Sequence, residues 1–279
     1  MGALLLKVAA GAGLGWLLMH GVDQRVRAEA LAAAHTYFGQ NGTFTAAVRS
    51  QGLFGNLSGR IGEIDIRIAD AHVTSLRFDL ERPRGPSGRI GVLTVQSTNL
   101  VLARIRLQQF SAKLRDIRYR LNDAIWNNRL VLVGAGPGTA QARISPAALQ
   151  LMLAGRHGGV LSGVHVGLSF DAITLTGELS LLGARLPFAA AGRLCADEQG
   201  RLDFVPDWVR WAGHELASAQ LQLLTRMINP AFDPSIDLGT GTLLRMTGAR
   251  VANGCVVLDA DLTLPDASPA LKIRSRRRE

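Results

Sequence analysis

The stretch Ile61-Gly62-Glu63-Ile64-Asp65-Ile66-Arg67-Ile68 decides the fold. Ile64, Ile66 and Ile68 alternate with Glu63, Asp65 and Arg67, a period of two. That period places the isoleucines on one face of a strand and the charges on the other. The pattern recurs downstream. Leu76, Phe78 and Leu80 alternate with Arg77, Asp79 and Glu81; Val101, Ala103, Ile105 and Leu107 oppose Arg104, Arg106 and Gln108; Ile117, Tyr119 and Leu121 oppose Arg118 and Arg120. Strands with one dry and one wet face are the mark of antiparallel sheet. The run Arg82-Pro83-Arg84-Gly85-Pro86 breaks two of them apart.

A long one-faced sheet needs a cover over its dry side. Two helices are marked for it. Ser145-Pro146 reads as an N-cap followed by proline in the first helical position, opening a helix to about Gly155 with the stripe Leu149, Met152 and Leu153. A second helix is expected from about His214 to Ile228, ending before Asn229-Pro230, with Leu216, Ala219, Leu223 and Met227 as its stripe. Ile173–Thr176 and Leu186-Pro187-Phe188 fall in further strands, with Gly177 and Gly183 as expected bulges or bends. The chain closes with a hairpin: strand Leu243–Val251, the turn Asn253-Gly254, and strand Cys255–Leu264 carrying Val256, Leu258, Ala260, Leu262 and Leu264 on one face. Asn-Gly is the preferred pair for a two-residue type I′ turn.

The N-terminus carries a different signal. Leu4, Leu5, Leu6, Leu14, Trp16, Leu17 and Leu18 belong to a segment whose part from Val8 to Met19 has no charge. Residues 1–22 therefore read as a membrane anchor or as the apolar region of a signal peptide, and the residues alone leave both open. Residues 23–39 read as a helical linker, and the arginine-rich stretch 266–279 as a basic disordered tail.

At 279 residues, 47% hydrophobic but only 5% aromatic, the chain has an aliphatic interior. The net charge of +9 is carried almost wholly by arginine, since lysine occurs only at Lys7, Lys113 and Lys272. Guanidinium suits phosphate contact. Yet no aromatics interleave with the arginines and no helix-turn-helix or zinc finger is visible, so nucleic acid is not expected as a partner.

Catalytic patterns are wanting. The loop Val133–Gly138 lacks the third glycine and the helix that a dinucleotide site requires. There is no Gly-x-Ser-x-Gly elbow, and the histidines, His165 among them, show no metal-ligand spacing. Asp65, Asp79, Asp259 and Asp261 read as residues of wet strand faces rather than as an acid–base pair. No enzyme, metal or cofactor is expected. Trp126, Trp208 and Trp211 read first as core residues, with membrane-interface anchoring as the alternative. Cys195 and Cys255 read first as free, buried thiols, a disulfide being the second possibility.

The order of elements resembles the LmeA-type bacterial envelope proteins. The resemblance rests on the apolar N-terminal segment and its short helix, on Gly59 leading into Ile61–Ile68, on Ala142-Arg143-Ile144-Ser145 before the helix of Leu149, and on the block from Asn229-Pro230 through Leu238-Gly239 to Asn253-Gly254 and the closing strand. It implies an α+β fold in which a long, strongly curved antiparallel sheet wraps two or three helices and encloses an elongated apolar groove. Residues 40–265 would then form a single lipid-binding domain. It also implies a phospholipid or similar lipid as ligand, the membrane as partner, and an extracytoplasmic place in the bacterial cell envelope, in the periplasm. Ile64, Ile66, Ile68, Leu149, Met152, Leu153, Leu223, Met227, Leu258 and Leu262 would line the groove. The same residues equally suit a solid core, in which case the protein is a ligand-free scaffold. An envelope hydrolase with a site assembled from distant residues is the third reading.

Overall fold

The computed structural model describes residues 24, 26–35, 38, 41–50, 58–73, 85–127, 131–157, 161–181, 184–238 and 244–264. The expected anchor 1–22, the strand Leu76–Leu80, Gly183 and the tail 266–279 lie outside the described residues. Among those described, no helix is long and apolar enough to cross a membrane. Residues 26–35 are helical.

The strands are β1 (Thr43–Ser50), β2 (Arg60–Ala69), β3 (His72–Val73), β4 (Ser87–Leu102), β5 (Ile105–Arg120), β6 (Leu132–Gly134), β7 (Gly138–Ile144), β8 (Leu161–Ser169), β9 (Ala172–Leu181), β10 (Ala184–Ala196), β11 (Leu202–Trp211), β12 (His214–Glu215), β13 (Leu244–Ala252) and β14 (Cys255–Leu262). The helices are α1 (Leu121–Trp126), α2 (Pro146–His157), α3 (Ser218–Ile228) and α4 (Pro234–Asp237). The α+β class holds, but the single antiparallel sheet does not. Among the described residues there are two open sheets: one ordered β1-β2-β4-β5-β7-β14-β13, with β3 and β6 alongside, and a second ordered β12-β11-β10-β9-β8. In the first sheet β2 pairs with β4 in parallel. Period-two alternation reports which face of a strand is dry and carries no direction, so the parallel pair was invisible in it.

The sequence ran β4 and β5 together. Val101, Ala103, Ile105 and Leu107 do not form one dry edge, because the chain reverses at Ala103-Arg104, where Ala103 takes a left-handed φ of 55°. Leu102 pairs with Ile105 across the turn, and the buried set is Leu100, Leu102, Ile105 and Leu107. The alternation also slips within the strands. Along β5 the buried Leu107 is followed by Phe110, and Leu114 by Ile117, three residues apart in each case. Such slips mark bulges, which bend a strand and add twist.

The helix expected from His214 begins only at Ser218. Ala212 and Gly213 both take positive φ, making a tight reversal that pairs Trp211 with His214 and Arg210 with Glu215. The α2 cap is as read: the Ser145 Oγ accepts from the Ala148 N–H at 3.2 Å. The closing hairpin turns at Asn253 and Gly254, with φ of 51° and 69°. Gly177 is not a bulge. It pairs regularly with Phe188, and the bulge lies opposite it on β8, between Ser162 and His165. Gly177 allows that close approach, since a Cβ would stand 2.9 Å from the Ser162 carbonyl oxygen.

One continuous buried cluster joins both sheets with α2, α3 and residues Ala30, Ala34 and Phe38. The His35 and Phe44 rings meet at a tilt of 49°, 4.2 Å between centroids, which ties the N-terminal helix to the β1 edge. Two of the tryptophans are not core: Trp126 is 80% and Trp208 40% exposed, with the Arg210 guanidinium 5.3 Å over the Trp208 ring. Trp211 is half-buried. Both cysteines are free, but neither is buried, Cys195 being exposed and Cys255 half-buried. Each lies at a strand end, where burial falls away.

Candidate lipid-binding pockets

The inner faces of the two sheets each leave an apolar pocket. Beneath the second sheet, Leu149 and Leu153 of α2 and Leu224 and Ile228 of α3 face Leu161, Val164, Ile173, Leu175, Phe188 and Phe204. Beneath the first, Leu258 and Ala260 of β14 meet Leu102, Leu107, Phe110 and Ile144, closed by Leu244, Met246, Phe232 and Leu238. The linings are carbon except for Gln141 at one edge. Burial of this surface is the main force holding the interior together.

The two pockets share no lining residue. Between them runs the chain after α3: Ala231 faces one pocket and its neighbour Phe232 the other. This partition is well tied. Phe232 and Leu202 exchange backbone hydrogen bonds of 2.9 and 3.1 Å. The Asn229 side chain accepts from the Phe204 N–H at 2.8 Å and donates to the Phe204 carbonyl at 3.1 Å. Asp233 then caps α4, its Oδ1 accepting from the Ser235 N–H at 3.0 Å. Among the described residues these are two separate pockets rather than one elongated groove. Both are narrow, with free volumes of about 30 and 20 Å³, room for one or two waters.

The residues named from the sequence divide accordingly. Leu149 and Leu153 meet in one pocket and Leu258 lines the other. Met152 and Leu262 are buried but outside both linings. Ile64, Ile66 and Ile68 are buried on β2, beyond β4, β5 and β7 from Leu258, and join neither pocket. Leu223 and Met227 lie outside the described side chains. Alternation found dry strand faces without showing which of them face each other. It therefore missed Phe232, Leu238, Leu244 and Met246, of which the first two lie in irregular chain with no period to detect.

The polar candidates stay apart. Asp65 and Asp261 share a cross-strand row with β4, β5 and β7 between them, and Asp259 is engaged by Arg250 and Gln141. Among the described residues no group of three His, Cys, Asp or Glu is placed to hold a metal ion.

A carbon-lined interior under open sheets agrees with a sequence comparison. The pattern of the LmeA-like phospholipid-binding proteins matches residues 86–261. The chain belongs to the LmeA-like phospholipid-binding family. The family match begins just before β4 and ends within β14, so it takes in both apolar pockets and the partition. Neither the β1–β2 edge nor Gly59 and Ile61–Ile68 fall within it. No curated protein and no solved structure matches the chain.

Proposed function

We propose that this LmeA-like protein binds a phospholipid by its acyl chains, one in each apolar pocket, with the Ala231-Phe232 partition between them. The observation that carries this reading is the pair of carbon-lined pockets within the part of the chain that matches a phospholipid-binding family. Occupied lipid sites are typically several hundred Å³, so the pockets must widen on binding. Movement of α3 and the partition away from the sheets would supply the space. The protein acts as a binder, and as a carrier or presenter of lipid, rather than as an enzyme. Its place is the extracytoplasmic side of a bacterial envelope, periplasmic, with residues 1–22 as a tether or as a signal removed on export. The apolar, charge-free run Val8–Met19 supports that placement.

The narrowness of both pockets favours a second reading, a ligand-free envelope scaffold with a solid core. Native mass spectrometry of the full chain, with uptake of a fluorescent phospholipid, separates the two. Co-purifying phospholipid and saturable uptake are expected, and Ala190→Phe, which fills the pocket under the second sheet, should abolish uptake. A chain that carries no lipid and takes none up is the scaffold.

A further inference from the structure

The outer face of the first sheet holds a larger cleft than either apolar pocket, about 480 Å³. Ile68, Ala69 and Phe110 contribute to its lining, but most of the lining residues are polar and follow the register of the sheet. Arg67 on β2 pairs with Gln96 on β4, Gln96 with Ser111 on β5, and Ser111 with Gln141 on β7. One row over, Thr98 pairs with Gln109, and Gln109 with Arg143. Two guanidiniums enter this lining and no carboxylate does. On the same sheet Arg49, Arg89 and Arg250 have acidic partners in Glu63, Asp116 and Asp259. Arg67 and Arg143 have none among the described residues. Asp259, the acid nearest Arg143 along the rows, is taken by Arg250 and by the Gln141 amide. Asp65, two residues from Arg67, lies outside the lining, in a row that also contains Lys113.

We propose that this cleft binds a phosphorylated polyol, with one of Arg67 and Arg143 holding its phosphate and the other joining the Gln, Thr and Ser ladder that takes its hydroxyls. Guanidinium supplies paired, charge-assisted donors to phosphate oxygens. Amide and hydroxyl side chains supply the mixed donors and acceptors that a polyol needs. Size sets the class: the arginines stand on strands three spacings apart, roughly 14 Å at about 4.8 Å per spacing. A ligand that draws on both must therefore be larger than a bare phosphate. The cleft falls in the range of roughly 300–1,000 Å³ common for small-molecule sites. Phe110 and Gln141 also edge the apolar pocket under the first sheet, so the two sites are neighbours and are told apart by experiment.

The ligand can come free in solution or as the headgroup of a bilayer lipid, and two arms separate these sources. Calorimetry of the full chain with glycerol phosphate tests the free ester. Sedimentation with phosphatidylcholine vesicles, with and without phosphatidylglycerol, tests the headgroup. Binding in either arm is expected, weakening as salt rises. In R67Q/R143Q it should fall by about tenfold or more, as loss of charge-assisted hydrogen bonds requires. Arg106→Gln removes one positive charge from the same sheet outside the cleft and should bind as the parent does. Arg67 is solvent-facing and Arg143 half-buried, neither with a partner to lose, so R67Q/R143Q should keep the parent melting temperature. Silence in both arms overturns the proposal. So does binding unaffected in R67Q/R143Q, or an equal loss in Arg106→Gln. Uptake of fluorescent phospholipid should be unchanged in R67Q/R143Q, which keeps this test distinct from that of the pockets.

Discussion

Tyr119 shows what one residue of an alternating strand does beyond filling space. Its ring is 3% exposed and its hydroxyl donates to the Gly59 carbonyl at 3.0 Å, pinning the start of β2 to β5 across β4. Gly88, its partner on β4, has no room for a Cβ against the ring. Burial, and secondarily the charge of Glu29, push the phenol up from 10.0 to about 12. A raised folded value means that the native state keeps a proton the unfolded chain gives up. The contribution of Tyr119 to stability is therefore complete below pH 10 and lost as the pH rises towards about 12. Alkaline melting curves should fall more gently for Tyr119→Phe than for the parent. An equal slope in the two proteins would count against this account. The alternation Ile117-Arg118-Tyr119 was enough to show that the tyrosine is buried. Its partner sixty positions earlier in the chain was not legible, because no local period encodes a contact between strands.

At the level of elements, the chain after α3 is where short-range chemistry becomes long-range order. Asn229 ends the helix, its N–H donating to the Thr225 carbonyl at 3.0 Å, and its side chain makes the two bonds to Phe204 of β11. Asn229→Ala should remove both and leave the N–H of the buried Phe204 unmatched, a loss of about 2 kcal/mol. Urea denaturation measures it, and a loss below the error of the fit would mean that the partition is held by Leu202 and Phe232 alone. The Asn229-Pro230 signal was read from the sequence as a helix stop, which it is. That it also divides the interior depends on β11 and α3 lying side by side, a relation between segments and not a property of either. The late start of α3 has a similar origin. His214 and Glu215 have side chains that tolerate a helix, but pairing with Trp211 and Arg210 satisfies their backbone groups first.

For the whole molecule the decisive joint is the turn between β10 and β11, where the second sheet touches the first. Asp197 and Arg201 close the turn, with the Arg201 Nε donating to the carboxylate at 2.7 Å. The Gly200 carbonyl accepts from the Met246 N–H of β13 at 2.9 Å, and the Arg245 guanidinium donates to the Glu198 carbonyl at 2.7 Å. Burial alone would raise the Asp197 carboxyl, but the N–H and guanidinium of Arg201 outweigh it and hold the group below its ordinary value. Gly200 is required here twice: its φ is 77°, and a Cβ would run into the Arg245 side chain. Gly200→Val should cost about 3 kcal/mol, combining backbone strain with a clash at the joint. Hydrogen exchange should show protection lost first in β13 and the β10–β11 turn. Loss spread evenly over both sheets would contradict the joint.

The sequence by itself determined which faces are dry, where α2 and the closing hairpin begin and turn, and that the interior is aliphatic, because these follow from side-chain period and local backbone preference. Ser145, Asn253-Gly254 and Ile64–Ile68 act within a few residues of themselves. Only the tertiary structure decided that there are two sheets, that β2 and β4 run parallel, that the interior is divided at Ala231-Phe232, and that Arg67 and Arg143 share a cleft without an acid. Each of these is a pairing between distant segments. A side chain's burial is written in its neighbours along the chain, whereas its partners are chosen only when the strands take their order.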